Sequence, residues 1–170
     1  MHDAVVLRRA DPAEAMELAA IGYAAWESGI LPLVREQAGM RQTQQRRLIS
    51  YCSEAVNRIT VAAMNGEAVG WCGRARGRPY IPFLFVSPGL QGQGIGSQLL
   101  RRVEAMYELE GFGYIQLETP ADHVRAVKFY ERNGYNIMAM KLDGRGAHKP
   151  FMSVWLEKKL HPFTGVIEDE

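Results

Sequence analysis

Cysteine is scarce in this chain. Cys52 and Cys72 are the only two, and neither stands in a CxxC pair or in a Cys/His cluster at metal-ligand spacing. That argues against a disulfide framework and against a structural metal, so free thiols in a reducing cytoplasm and no metal are expected. A surplus of one charge sign is missing as well: 20 Lys and Arg stand against 19 Asp and Glu, a formal net charge of +1, with no long basic run. Nothing here has the electrostatic footprint of a nucleic-acid groove or an anionic membrane surface, so small-molecule partners are expected. Long apolar runs are lacking too. No stretch approaches the roughly 20 residues that a spanning helix needs, and the opening MHDAVVLRRADPAEA has no basic-then-apolar leader pattern. The expectation is a soluble cytoplasmic protein with no nucleic acid and no membrane among its partners.

Internal repeats and low-complexity segments are also absent. What the chain does have is bulk for a core: 170 residues, 47% hydrophobic and 23% charged. One domain can be stable at that size without staples. The expected domain covers residues 1–160, with HPFTGVIEDE at 161–170 as a loosely held tail.

Reading along the chain, AVVLRR is a strand and DPAE starts a helix, with Asp11 as N-cap, Pro12 at the first helical position and Glu14 completing a capping box. Helical periodicity runs through AMELAAIGYAAWESG, pauses at Gly29 to Pro32, and resumes through LVREQAGMRQTQQRRLISYCSEAV with Gly39 as a break. RITVAAM, Asn65-Gly66 and EAVGWCGRAR predict a hairpin, because Asn-Gly suits the positive φ angles of a type I′ turn. The strand YIPFLFV contains Pro82, which has no N–H for a ladder, so a bulge or a locally unpaired edge is expected there. Then follow helix GIGSQLLRRVEAMYELE, strand YIQLETP, helix HVRAVKFYERN, strand YNIMAMKL, a polar turn DGRGAHKP and strand FMSVWLEKKL.

Four glycines, Gly89, Gly92, Gly94 and Gly96, fall within eight positions just where helical periodicity begins with Ile95, Leu99, Leu100, Val103 and Met106 on one face. A helix N-terminus offers unpaired N–H groups and partial positive charge, and glycine removes the Cβ that would keep an anion away. A tight turn alone would explain one or two of the four. The dinucleotide fingerprint GxGxxG would need glycine where Ser97 stands, and a P-loop would need Lys and Ser or Thr in place of Ile95-Gly96.

The remaining pattern, Val86-x-Pro88-x-x-Gln91-Gly92-x-Gly94-Ile95-Gly96-Ser97-x-Leu99-Leu100, resembles the acyl-CoA pyrophosphate loop of the GNAT superfamily of N-acetyltransferases. The order of elements over nearly the whole chain is similar too. The resemblance implies an α+β fold, a mixed αβα sandwich whose central, mostly antiparallel sheet splays open and is flanked by helices. It implies acetyl-CoA as co-substrate, its pyrophosphate on the backbone of Gln91, Gly92, Gln93, Gly94, Ile95, Gly96 and Ser97, and its pantetheine along the main chain of Leu84, Phe85 and Val86. A second family motif, Asn-x-x-Ala-x-x-x-Tyr, is matched by HVRAVKFY with His123 in place of Asn, so His123, Ala126 and Tyr130 are implied cofactor contacts. Tyr130 is implied as the general acid for the departing thiolate, since a phenol with an ordinary pKa near 10 is protonated at neutral pH.

The general base stays open. Strand YIPFLFV has no carboxylate, which leaves Tyr80, Glu118, His148 or ordered water, with Glu118 carried forward as the catalytic candidate. Tyr23, Trp26, Glu27, Tyr80 and His148 are candidates for the acceptor side, although Trp26 and Ile30 at helical spacing also fit a core. The expected reaction is acetyl transfer to a primary amine of a small molecule or peptide by direct attack in a ternary complex. The alternatives are a non-catalytic acyl-CoA sensor and a nucleotide-binding module unrelated to CoA. A homodimer is left open.

Overall fold

The computed structural model describes residues 4–143 and 151–165. The strands are β1 (Val5–Arg9), β2 (Ile59–Met64), β3 (Glu67–Gly73), β4 (Leu84–Val86), β5 (Tyr114–Pro120), β6 (Asn136–Asp143) and β7 (Phe151–Lys159). The helices are α1 (Ala15–Gly29), α2 (Met40–Glu54), α3 (Ile95–Leu109) and α4 (Val124–Arg132). The polar turn expected before β7 lies at 144–150, outside the described residues.

Local signals set many of these boundaries. Asp11 accepts the Ala13 N–H at 2.8 Å while Glu14 accepts the Asp11 N–H at 3.0 Å. Pro12 opens the turn as expected, though residues 12–14 wind as a 3-10 turn before α1. Gly39, at φ +82, stands at the N-cap of α2. The β2–β3 hairpin turns on Asn65 at φ 52 and Gly66 at φ 81, both in the left-handed region that a type I′ turn requires.

The strands form two antiparallel groups, β1-β2-β3-β4 and β5-β7-β6. Among the described residues they join at one parallel bridge, Tyr80 to Gln116. Helices cover both faces. On one, α1 and α2 bury Leu18 and Leu48 against Val61, Trp71, Phe83 and Phe85. Gly22 lets α1 lie flat here, since a Cβ on it would come within 3.0 Å of the Phe85 ring, and the Trp71 indole N–H donates to the Leu18 carbonyl at 2.8 Å. On the other face, Ile95, Leu99, Leu100 and Val103 of α3 pack on Cys72, Ile81, Ile115, Leu117 and Leu156, with Val127, Phe129 and Tyr130 of α4 alongside. The αβα layering expected from the sequence is therefore present.

One polar cluster is sealed inside the α3 face. The carboxylate of buried Glu104 accepts the Tyr135 hydroxyl at 2.8 Å and the Lys158 ammonium at 2.9 Å. Each oxygen has its own donor, which a buried carboxylate needs. At the far end, Leu160 is buried and residues 161–165 are exposed, yet the Phe163 N–H donates to Glu108 O at 2.9 Å.

Candidate active site

The site begins with a parting of strands. Gln116 of β5 accepts the Ile81 N–H at 3.0 Å and donates its own N–H to Pro79 O at 2.9 Å. Beyond it the chain bulges. At the end of β3, Gly73 and Ala75 are two positions apart, while their partners Phe83 and Tyr80 are three apart. The extra residue is taken up around Pro82, where the absent N–H costs no ladder bond. The Tyr107 hydroxyl donates to Tyr80 O at 2.8 Å and fixes the segment before the bulge.

After the bulge β4 pairs, among the described residues, only with β3, with Phe85 opposite Trp71. Bonds from Gly73 N to Phe83 O and from Ser87 N to Val69 O set the phase of the ladder. In an antiparallel pair the bonding direction alternates, so Phe83, Phe85 and Ser87 turn their main chain toward β3, whereas Leu84 and Val86 turn theirs to the open edge. Of the three residues expected to offer main chain to pantetheine, two face the gap and Phe85 faces away. The Val86 carbonyl takes the Gln91 side-chain amide at 3.3 Å.

The glycine loop lies at the end of this edge. Gln91, Gly92, Gln93 and Gly94 are exposed, while the Ile95 side chain is buried and anchors the first turn of α3. Gly94, at φ +83, is the N-cap, and the first intrahelical bond runs from Gln98 N to its carbonyl at 3.1 Å. The amides of Ile95, Gly96 and Ser97 are therefore left without helical partners. Gly96 has a different reason to be glycine: a Cβ there would lie 3.0 Å from Phe129 Cζ, so it permits the close approach of α3 and α4. Sequence reasoning missed Arg125, whose Nη2 lies 4.0 Å from where a Cβ on Gly92 would stand. It places a cation beside the loop, and its position right after the His123-Val124 helix start was the signal available.

His123 sits at the head of α4, half-buried, with Nε2 3.8 Å from the position a Cβ on Gly29 would take at the end of α1. Burial, aided by Arg125, holds its imidazole below the usual pKa, so the neutral ring is favoured. Tyr130 follows two turns on, with Ala126 between them on the same stripe. Its ring packs against Phe129 at 5.2 Å and Tyr135 at 5.7 Å. Burial pushes its phenol well above the ordinary value. The hydroxyl therefore stays protonated at neutral pH.

The sheet face turned away from α3 and α4 carries Glu118. Strand alternation buries Ile115, Leu117 and Thr119 on one side and turns Gln116 and Glu118 to the other. The Ser153 hydroxyl donates to Glu118 at 3.3 Å, and Gln116 donates to Glu157 at 2.9 Å. Tyr80 shares this face, 5.9 Å from Trp155. The alternation Val154-Trp155-Leu156 was the signal that could have marked Trp155.

The α1 candidates do not gather here. Trp26 is buried in the α1/α2 core, with Tyr23 packed 5.6 Å from it. Glu27 is exposed and ion-paired to Arg41 at 2.6 Å, and Arg41 also holds Glu36. His148 lies outside the described residues. Among the described residues no group of three or more His, Cys, Asp or Glu could hold a metal ion, and no helix is long and apolar enough to cross a membrane.

A helix-flanked sheet that parts between its fourth and fifth strands, beside a glycine loop heading a helix, defines the N-acetyltransferase class of fold. A model of the acetyltransferase (GNAT) family matches residues 23–135, and no curated protein matches the chain. The chain belongs to the acetyltransferase (GNAT) family. Among solved structures, apo-form YjaB from Escherichia coli is 22% identical with a TM-score of 0.72, over 94% of this chain and 99% of that one. PaiA N-acetyltransferase from Thermoplasma acidophilum in complex with coenzyme A is 15% identical with a TM-score of 0.75, over 92% and 99%. The ribosomal-protein-S18-alanine N-acetyltransferase from Escherichia coli is 15% identical with a TM-score of 0.69, over 98% and 100%.

Proposed function

We propose that the protein transfers the acetyl group of acetyl-CoA to a primary amine by direct attack in a ternary complex. The observation that carries this reading is the open edge of β4, with the Leu84 and Val86 main chain unclaimed by β5 and leading to the amides at the head of α3. That edge fits an extended arm bearing amide groups, and the loop fits a pyrophosphate. When bound, acetyl-CoA supplies a thioester carbonyl. The Leu84 N–H is placed to stabilise negative charge developing on an oxygen at that edge. Glu118, or water beside it, takes the proton that the amine must lose, and Tyr130 gives one to the thiolate as the C–N bond forms and the C–S bond breaks.

Both cysteines are buried, and burial raises their thiol pKa values, Cys52 to about 12. This supports direct transfer over a covalent acyl-cysteine. Two buried free thiols also fit the expected cytoplasmic setting. A homodimer would form along the edge of β6 that no described strand pairs, where Ile137, Met138, Met140 and Leu142 are exposed.

The experiment is thiol release from acetyl-CoA across a panel of primary amines, with mass spectrometry of the product. An acetylated amine formed with one CoA released per transfer supports the reading. The absence of a carboxylate on YIPFLFV favours a second reading, a non-catalytic acyl-CoA sensor. Thermal stabilisation by acetyl-CoA with no thiol release from any amine would establish that instead.

A further inference from the structure

Among the described residues, the space in front of the glycine loop is open except at one point. A Cβ built on Gly89 or Gly94 would meet nothing within 4 Å, and one on Gly92 would meet only the Arg125 guanidinium, with Nη2 at 4.0 Å. The hollow is therefore lined by glycine backbone and by the unbonded amides of Ile95, Gly96 and Ser97, and a cation stands at its rim.

Helix packing carries Arg125 to that place. Phe129 meets Gly96, where a Cβ would lie 3.0 Å from its Cζ, and this contact fixes which stripe of α4 faces α3. Arg125 stands four residues before Phe129, as Gly92 stands four residues before Gly96. The same stripe of α4, one turn back, therefore meets the loop that precedes α3. Arg101 and Arg102 lie beyond the first turn of α3, away from its head.

A helix head supplies only about half a positive charge. That suits one phosphate, but a pyrophosphate bears a negative charge on each of its two phosphates. A guanidinium adds a full charge and a rigid fork of donors that matches phosphate oxygens. Resting on acetyl-CoA as the donor, we propose that Arg125 determines donor specificity by binding the pyrophosphate together with the amides at the head of α3. Acetyl thioesters of phosphopantetheine, with a single phosphate, and of pantetheine, with none, are then poor donors.

The test is titration calorimetry of CoA, 3′-dephospho-CoA and 4′-phosphopantetheine against the parent, Arg125→Gln and Lys128→Gln. Lys128 is an exposed cation on the next turn of α4, so its variant removes the same charge without touching the loop. Arg125 is exposed as well, and melts should show all three proteins equally folded. The parent should bind CoA and dephospho-CoA alike and phosphopantetheine at least about tenfold more weakly. Arg125→Gln should weaken CoA and dephospho-CoA equally, by about tenfold, and phosphopantetheine far less. Lys128→Gln should leave all three within about twofold. A loss for CoA that dephospho-CoA does not share would assign the guanidinium to the 3′-phosphate and overturn the proposal. Equal losses in the two variants, or none in Arg125→Gln, would overturn it too. The expected binding pattern with no thiol release from any amine would sink the transferase reading and leave this one standing. Acetyl transfer at a parental KM for acetyl-CoA in Arg125→Gln would sink this one and keep the transferase.

Discussion

The main-chain oxygen of Gln116 accepts the Ile81 N–H at 3.0 Å, and by Leu84 the two strands have parted. This one bridge fixes the hinge of the opening. The bulge around Pro82 then turns β4 away from β5, and the alternation of bonding direction leaves Leu84 and Val86 facing the gap.

Gly94 and Gly96 should fail in different ways. Gly94→Val places a β-branched residue at φ +83, with nothing within 4 Å of its Cβ, so strain of about 1–3 kcal/mol is expected without a clash. For a chain of this size that lowers Tm by roughly 2–4 °C per kcal/mol. Acetyl-CoA affinity should fall by tenfold or more, because the side chain stands in front of the loop amides. Gly96→Ala pushes on Phe129 and should lower Tm with a smaller loss of affinity. Titration calorimetry beside thermal melts checks both, and parallel losses of folding and binding in Gly94→Val would mean that the loop is only a turn.

Tyr130→Phe keeps the ring between Phe129 and Tyr135 and removes only the hydroxyl. Tm and acetyl-CoA affinity should hardly change. General acid assistance is worth about 10²–10⁴-fold, so kcat should fall on that order under conditions where chemistry limits the rate. A kcat within about twofold of the parent removes Tyr130 from proton transfer.

His123 gives the fold a pH dependence whose sign follows from burial. Its folded pKa lies below the usual 6.5, so between the two values the unfolded chain binds more protons than the native one. Stability is therefore lost as pH falls from about 6.5 through the folded pKa, and the loss levels off below it. His123→Asn, which restores the residue type of the family motif, should flatten this part of the curve. Melts of parent and variant from pH 7.5 to pH 5 should diverge toward low pH, and parallel curves would refute the assignment.

Glu104 depends on both of its donors. Tyr135→Phe removes one hydrogen bond and leaves a buried carboxylate oxygen unpaired, at a cost of about 1–3 kcal/mol. Tyr135→Phe combined with Glu104→Leu should recover part of that loss, because the desolvated charge is removed with its partner. Urea unfolding measures both variants, and additive losses would show that the two residues act independently.

The sequence by itself determined what depends on a few neighbouring residues. The Asp11–Glu14 cap, the Asn65-Gly66 turn and the glycine-headed α3 follow from local backbone preferences that no distant contact had to supply. The motif HVRAVKFY likewise placed His123, Ala126 and Tyr130 on one helix stripe, since residues three and four apart are neighbours wherever a helix packs. Only the tertiary structure decided which aromatic faces were covered. Trp26 lies under α2 in the core, and Trp155, equally apolar, lies on a sheet face shared with Tyr80 and Glu118. It also decided that Glu27 meets Arg41, that Arg125 stands beside Gly92, and that Gly96 is small for the sake of Phe129. Each of these pairs elements distant in the chain, and their meeting is set by how whole helices and strands bury their faces, which no short stretch of sequence encodes.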